Sequence, residues 1–372
     1  MPGGSAVTGT PTAEIRTGVA EIPEWRENLA MVMNYRTAAA VLGAVLTCVI
    51  VAGQTPKPGR PALPDIIRPV LFGTPEADRI LSALQVFPPE NAWNREIDGL
   101  PVLPNSGRIV ASIGADKHLA YNLDMNFVIV PPGQPRVPVK ILLYPNESDP
   151  GPFPVPENAP IENWPLAHNE DAKAVARPGQ TLDDIQRHGS GDRHLLIVDP
   201  VNGRVHEFWQ ARKTDGGWEA SNAATFDLRT GALRQEGWTS ADAAGLPIFP
   251  ATVRYDECER GLVRHAMRFT VRRSRRAYVY PATHFASRYN DPDLPRMGER
   301  LRLRKDFDTS GFPPHARAIL EGLKRYGMFV ADNGQDWRMS ISPDARLKGL
   351  ETLERVRGSD FEVVDTSSFG RE

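Results

Sequence analysis

The chain has 372 residues, with 44 Lys+Arg against 46 Asp+Glu. That balance gives no footing for a nucleic-acid partner, which draws on a clear basic excess. Proline (34) and glycine (31) are plentiful and 41% of residues are hydrophobic, which speaks for a folded domain rich in turns and against a helix bundle.

Residues 1–32 are polar, with no apolar period. From Met33 the pattern changes. Arg36 precedes an apolar run over 38–52, and small residues at Val51-Ala52-Gly53 lead into a Pro-rich linker over 54–64. A charged start, an apolar centre and a small-residue cleavage site make a secretory signal over 33–53. The run is short for a spanning helix. The chain is therefore expected to be secreted or periplasmic, with retention as an N-terminal anchor as the competing reading. Thr47 before Cys48 and the apolar residues after it disfavour a lipoprotein. Removal of Cys48 leaves Cys258 alone, so no disulfide is expected and Cys258 reads as a buried inert thiol.

Residues 65–372 are expected to form a single β-rich domain. Ile80, Leu81 and Leu84 stand at helical spacing, which predicts a short helix over 75–84. Residues 108–113, 127–130 and 137–144 read as strands. Residues 145–165 form a Pro-dense loop that no sheet centre would accept, either a functional loop or a cover for a sheet edge. The Asp-Pro and Asn-Gly pairs within 199–203 predict a hairpin between 193–198 and 204–211. Further short strands reach residue 280 at regular spacing, which suggests a jelly roll or β-sandwich. Residues 313–326 and 344–357 read as two amphipathic helices packed on the flank of the sheet, with strands at 328–331 and 361–364.

The strings GSGDRH (189–194), FDL (226–228), GWTSADAAGLPI (237–248), RYDE (254–257), HAMRFT (265–270), PATH (281–284) and YGMFVADNG (326–334) resemble those of a family of exported bacterial proteins. The resemblance covers residues 85–365. It implies a secreted, single-domain β-rich protein, and it brings no catalytic assignment, because the family has no assigned activity.

Candidate chemistry therefore rests on the residues. No Walker A loop, GxGxxG, HExxH, GxSxG or CxxC pair is present, which disfavours a nucleotide cofactor and zincin or α/β-hydrolase chemistry. Asp192 and His194 lead into the hairpin, and Glu207 shares a strand face with Trp209 on the return. A carboxylate beside an aromatic ring is the combination that sugar-binding clefts use. A paired or solvated glutamate is the plainer alternative. Over 254–257 an Arg254–Asp256 ion pair is expected. Over 262–271 His265 is the lone polar group on an apolar face, while Arg268 falls on an arginine-rich face suited to acidic sugars. His284 ends the next strand. His194, His265 and His284 are the histidines a metal site would draw on. Their separation does not argue for one, and no metal or cofactor is expected.

The reading is a secreted polysaccharide-cleaving enzyme, glycoside hydrolase or lyase. Asp192 and Glu207 are the acid–base pair and His265 and His284 support them. His194, Trp209, Arg268 and Trp238 contact a polysaccharide or other cell-surface glycan. A non-catalytic carbohydrate- or surface-binding protein is the alternative. It would need aromatic platforms but no convergence of ionisable groups.

Overall fold

The computed structural model describes residues 61–162, 164 and 180–370. The polar stretch, the signal-like segment and most of the Pro-rich linker lie outside the described residues. No helix among the described residues is long and apolar enough to cross a membrane.

Regular structure opens with β1 (Val70–Leu71) and α1 (Pro75–Ala83). The Thr74 side chain accepts the Ala77 N–H at 3.2 Å, Pro75 takes the first turn, and Glu76 and Asp78 face the positive end of the helix dipole. Next come α2 (Ser106–Ile113), β2 (Ala120–Leu123), β3 (Val128–Ile129) and β4 (Val139–Ile141). After α3 (Leu182–Arg187) the chain forms β5 (Leu195–Asp199), β6 (Arg204–Trp209), β7 (Arg212–Thr214), β8 (Gly217–Ala220) and β9 (Asn222–Asp227). The remainder is α4 (Tyr255–Glu259), β10 (Met267–Val271), β11 (Arg300–Leu303), α5 (Pro314–Arg325), β12 (Met328–Asn333), β13 (Arg338–Ile341) and β14 (Phe361–Val363).

The structure is mainly β, built on three mixed sheets, and no sheet closes into a barrel. A five-stranded sheet runs β1-β3-β5-β6-β9, a six-stranded sheet runs β14-β11-β12-β10-β13-β2, and β4-β8-β7 form a small third sheet. The expected hairpin is present as β5–β6, in register from Leu195 opposite Phe208 to Asp199 opposite Arg204. Asp199 closes its turn by accepting the Asn202 N–H at 3.1 Å, and Gly203 supplies the left-handed residue (φ 66°). Alternation sorts this sheet cleanly. Leu196, Val198, Val205 and Ala224 join the large core, which also takes Met267, Phe269 and Leu301 of the six-stranded sheet. Leu195, Ile197, Phe208 and Ala223 point the other way, into a smaller core with Phe153, Ile161 and Trp218.

Several expectations are corrected. Residues 108–113 lie in α2, not a strand, because Ile109, Val110 and Ile113 bury one helical stripe while Arg108 and Ala111 face solvent. A short apolar run fits either period, and the burial pattern decides it. The ion pair expected between Arg254 and Asp256 is present, at 3.7 Å, and it lies on α4 with Arg254 at the N-cap. The expected strand over 262–271 begins only at Met267. Residues 277–284 contribute a lone bridge, Tyr278 to Met297, and no strand. The first flanking helix is present as α5, which buries Ala316, Ile319, Leu320 and Leu323; the second is only a 3₁₀ segment, Leu350–Arg355. Gly327 (φ 64°) ends the α5 connection where a Cβ would run into the Leu301 carbonyl.

The Pro-dense loop covers the exposed edge of β9. Asp149 accepts the Thr225 N–H at 2.7 Å and the Ser148 hydroxyl accepts the Ala223 N–H at 3.1 Å. This answers the edge-strand problem by occupying the open N–H groups.

Cys258 is a free cysteine and 1% exposed, and burial followed by Glu257 and Asp256 pushes its thiol well up. In a Cys48→Ser background the native protein should leave Ellman's reagent unreacted at pH 8, and one thiol should appear on unfolding in urea. Rapid reaction in the native state would contradict this burial.

Candidate functional site

Five segments far apart in sequence meet at a polar cleft of about 150 Å³ lined by Asp124, Glu162, Asp192, His194, Arg268 and Asp332, among other residues. Arg268 comes from β10 and Asp332 from β12, the parallel neighbour, with Asp332 opposite Thr270 across a register shift. Asp124 follows the end of β2. Glu162 arrives at the end of the Pro-dense loop, and Asp192 and His194 lead into β5.

Arg268 is 3% exposed, and each of its three nitrogens has a partner. It donates to both oxygens of Asp242, at 3.0 and 2.8 Å, and to the Ser340 hydroxyl. Asp242 is itself completely buried and its backbone N–H is held by Ser240 Oγ at 2.9 Å. A bidentate guanidinium–carboxylate pair of this kind compensates two desolvated charges at once.

His194 lies between two acceptors. Nδ1 meets Glu162 Oε2 at 2.8 Å and Nε2 meets the Ala241 carbonyl at 3.0 Å. Satisfying both contacts takes two N–H groups, hence an imidazolium. Burial alone would lower its pKa, but Glu162 overrides this and holds it at about 9. The same contacts act on Glu162 in reverse. Burial would raise it, and His194 and Arg268 hold it below the usual glutamate value. The His194 N–H also donates to Glu162 Oε2 at 3.0 Å, and the Glu162 N–H returns a bond to the His194 carbonyl at 2.8 Å, so the loop end is latched to β5.

Two other carboxyls go the opposite way. Asp124 is 4% exposed, and its Oδ1 has no hydrogen-bond partner. Burial and then Glu162 raise it to about 7 against the pull of Arg268 and His194. Burial, reinforced by Asp242, likewise brings half-buried Asp332 to about 7. The cleft thus holds one carboxylate kept charged and two carboxyls that retain protons near neutrality, the division of labour that acid–base chemistry requires.

Of the residues expected from sequence, Asp192, His194 and Arg268 line this cleft. Trp209 stands at its rim, donating from Nε1 to Asp192 Oδ1 at 3.1 Å. Glu207 is not on the wall. It is completely buried and accepts the Ile248 and Phe249 N–H groups, both at 2.8 Å, so it ties the 237–248 loop to β6. His265 belongs to a separate buried cluster, 3.1 Å from Glu257, which Arg254 meets at 2.7 Å; Arg254 also stands 3.7 Å from Asp256. There burial would raise Glu257, but Arg254 and His265 hold it at about 2. His284 is 2.8 Å from the Ala243 carbonyl through Nδ1 and lies nearly parallel to Phe285. Trp238 lies 5.5 Å from the Arg234 guanidinium. His194, His265 and His284 therefore have separate partners. Among the described residues no three His, Cys, Asp or Glu side chains are grouped to hold a metal ion.

Sequence reasoning passed over Asp124, Glu162, Asp242 and Asp332. Two of them carried a signal, since Asp242 and Asp332 lie inside the strings GWTSADAAGLPI and YGMFVADNG. No family model, no curated protein and no solved structure matches the chain.

Glu207 offers a test of these electrostatics. Burial raises its pKa from 4.5 to about 7 although two N–H groups oppose the shift. A raised folded value means that ionisation costs stability as pH climbs from about 4.5 towards 7. Glu207→Gln leaves one backbone N–H facing an amide NH₂ and should destabilise by about 1–3 kcal/mol at pH 5. The deficit should shrink by pH 8, where only the wild type carries the buried charge. Urea unfolding at the two pH values measures this, and an unchanged deficit would refute the raised pKa.

Proposed function

We propose that the protein is an exported enzyme that hydrolyses a glycosidic bond in this cleft. The observation that carries the reading is the convergence, in one small cleft, of carboxyl groups with opposed ionisation. Asp124, with a proton near neutrality and an unpartnered oxygen, donates to the leaving glycosidic oxygen. Glu162, kept charged by His194, takes a proton from the water that attacks the anomeric carbon. A raised acid beside a lowered carboxylate is what both steps need. This moves the acid–base roles from Asp192 and Glu207 to Asp124 and Glu162, because Glu207 is spent on backbone N–H groups. Asp192 remains at the rim as a hydrogen-bonding group for substrate.

The rim supports a sugar rather than a small acid. Trp209 is bonded to Asp192, and the ring of Tyr144 stands 6.1 Å from the Trp209 ring. Leu142, Leu143 and Tyr144 are exposed beside them, at 48%, 59% and 38%. Rings beside polar groups match the alternating apolar faces and hydroxyl edges of a pyranose. We read the two larger sheets, which share one core, as the layers of a sandwich. The parallel pairs β3–β5, β10–β12 and β13–β2 favour that over a jelly roll, whose strands are antiparallel. Export follows from the segment over 33–53 and from the resemblance to exported proteins.

The test is product release from a panel of polysaccharides. Asp124→Asn should lower the rate on the order of a hundredfold to ten-thousandfold, with circular dichroism unchanged. In the wild type kcat/KM should fall as pH rises through about 7, where Asp124 loses its proton. Full activity in Asp124→Asn would sink the assignment. A glycan retained on affinity gels but never cleaved would make the protein a carbohydrate-binding one.

A further inference from the structure

Resting on the reading that the cleft takes a glycan, we propose that an exposed arginine ledge beside it binds an acidic polysaccharide, one that carries carboxylates along its length. The charge pattern starts the argument. Residues 261–290 hold seven arginines and no Asp or Glu, in a chain whose formal net charge is −2. Arg268 is the buried member of the run and holds Asp242 and Ser340. Beyond it Arg272, Arg273, Arg276 and Arg288 are exposed. Two short segments bring them together. Arg275 bridges Tyr289 in parallel pairing, the Arg276 N–H donates to the Tyr289 carbonyl at 2.6 Å, and the Ser287 hydroxyl donates to the Ser274 carbonyl at 2.5 Å. Segments 272–276 and 287–289 thus lie side by side, and Arg288 joins arginines from which sequence distance would separate it.

The ledge adjoins the cleft. Thr270, Asn333 and Gly334 are part of the cleft wall. Arg272 follows Thr270 by two residues, within about 7 Å along the backbone. Ser274 Oγ donates to Asn333 Oδ1 at 2.8 Å, and the Asn333 side-chain amide donates to the Ala286 carbonyl at 2.6 Å. A polymer leaving the cleft over Asn333 therefore meets the ledge next. The cleft does not repel an anionic chain. With Asp124 and Asp332 protonated, the carboxylates of Glu162, Asp192 and Asp242 are matched by Arg268, His194 and Arg338.

The guanidinium forks on the ledge are open. Nearby carboxylates are held by other cations, Asp293 by Arg108 at 2.9 Å and Glu299 by Arg296 at 2.7 Å. Asp336 is 2.6 Å from Lys117 and 3.9 Å from Arg272. Among the described residues Arg273, Arg276 and Arg288 stand in no ion pair. Like charges gathered in this way repel, and a bound polyanion relieves the repulsion. A carboxylate takes a guanidinium fork bidentately, and a row of carboxylates on one polymer engages several forks at once. The rings of Phe285 and Tyr289 lie 5.7 Å from the Arg276 and Arg288 guanidinium groups and offer faces to a pyranose. An anionic membrane is the competing partner. It would call for inserting aliphatic side chains beside the basic ones, whereas Tyr289 is the one large hydrophobic residue exposed in this stretch.

The full-length protein is titrated calorimetrically at pH 6 with a galacturonate octasaccharide and with its fully methyl-esterified, uncharged counterpart. Sedimentation with phosphatidylglycerol vesicles is the third arm. The acidic octamer should bind about tenfold tighter than its ester, and the advantage should shrink as salt is added. Arg273→Gln/Arg276→Gln/Arg288→Gln should lose that advantage with circular dichroism unchanged. Taking three exposed arginines from α1 and α5 instead, as Arg79→Gln/Arg317→Gln/Arg325→Gln, should leave it intact. Equal loss in the two triple variants would reduce the effect to net charge and overturn the ledge. Equal binding of acid and ester overturns it too and leaves the glycan reading standing. Sedimentation with the vesicles and no hold on the octamer would make the ledge a membrane contact. Binding of none of the three probes also overturns it. If the octamer binds through the ledge and no polysaccharide is cleaved, the hydrolase reading falls while the ledge stands.

Discussion

The buried pair of Arg268 and Asp242 is the constraint on which the site depends. Both side chains are almost wholly enclosed, at 3% and 0% exposure. Neither would be tolerated there alone, since an uncompensated buried charge costs on the order of 3–5 kcal/mol. The pair therefore dictates that β10 and the 237–248 loop pack together. Ser340 on β13 extends the tie to a third segment. With that loop in place, its Ala241 carbonyl receives His194 and its Ile248 and Phe249 N–H groups receive Glu207. One ion pair from the six-stranded sheet thus positions groups that belong to the five-stranded one.

The same pair shapes the field around it. Asp242 pushes up Asp332, while Arg268 pulls down on Asp332, Asp124 and Glu162. The three carboxyls still separate, and the reason is local. Glu162 has an imidazolium against its oxygen; Asp124 and Asp332 have burial and a neighbouring carboxyl. Burial alone would make all of them weak acids, and proximity to one arginine alone would make all of them strong ones. The contest between the two, resolved differently at each position, gives a cleft with both a donor and an acceptor of protons.

How much of this was legible in the sequence depends on range. The β5–β6 hairpin was readable because Asp199, Asn202 and Gly203 act on their own neighbours. Helix α5 was readable because its stripe and its closing Gly327 are local too. Residues 108–113 were misread because a six-residue apolar run satisfies both periods, and only the packing of Ile109 and Ile113 into the core separates them. Asp192, His194 and Arg268 were identifiable as candidates by residue type. Glu207 was chosen for sharing a face with Trp209, and it does point to that side. What could not be read is that the face turns inward there, onto the 237–248 loop, because that contact spans some forty residues.

Three of the four carboxyls that sequence reasoning passes over share one disguise. Asp332 precedes Asn333-Gly334, Asp242 sits among small residues, and Glu162 ends a run of prolines. In each place an acidic side chain is ordinary turn chemistry, so residue type says nothing. Their surroundings give them a different role. The Pro-dense loop illustrates how. Read from sequence, it was either a cover for a sheet edge or a functional loop, and these appeared to be alternatives. In the structure, covering β9 through Ser148 and Asp149 anchors one part of the loop, and the latch between Glu162 and His194 fixes its far end. Proline stiffens what lies between, at low entropic cost on ordering. A loop held in this way delivers a carboxylate to a cleft as reliably as a strand does. Covering the edge is therefore the means by which the loop contributes to the site.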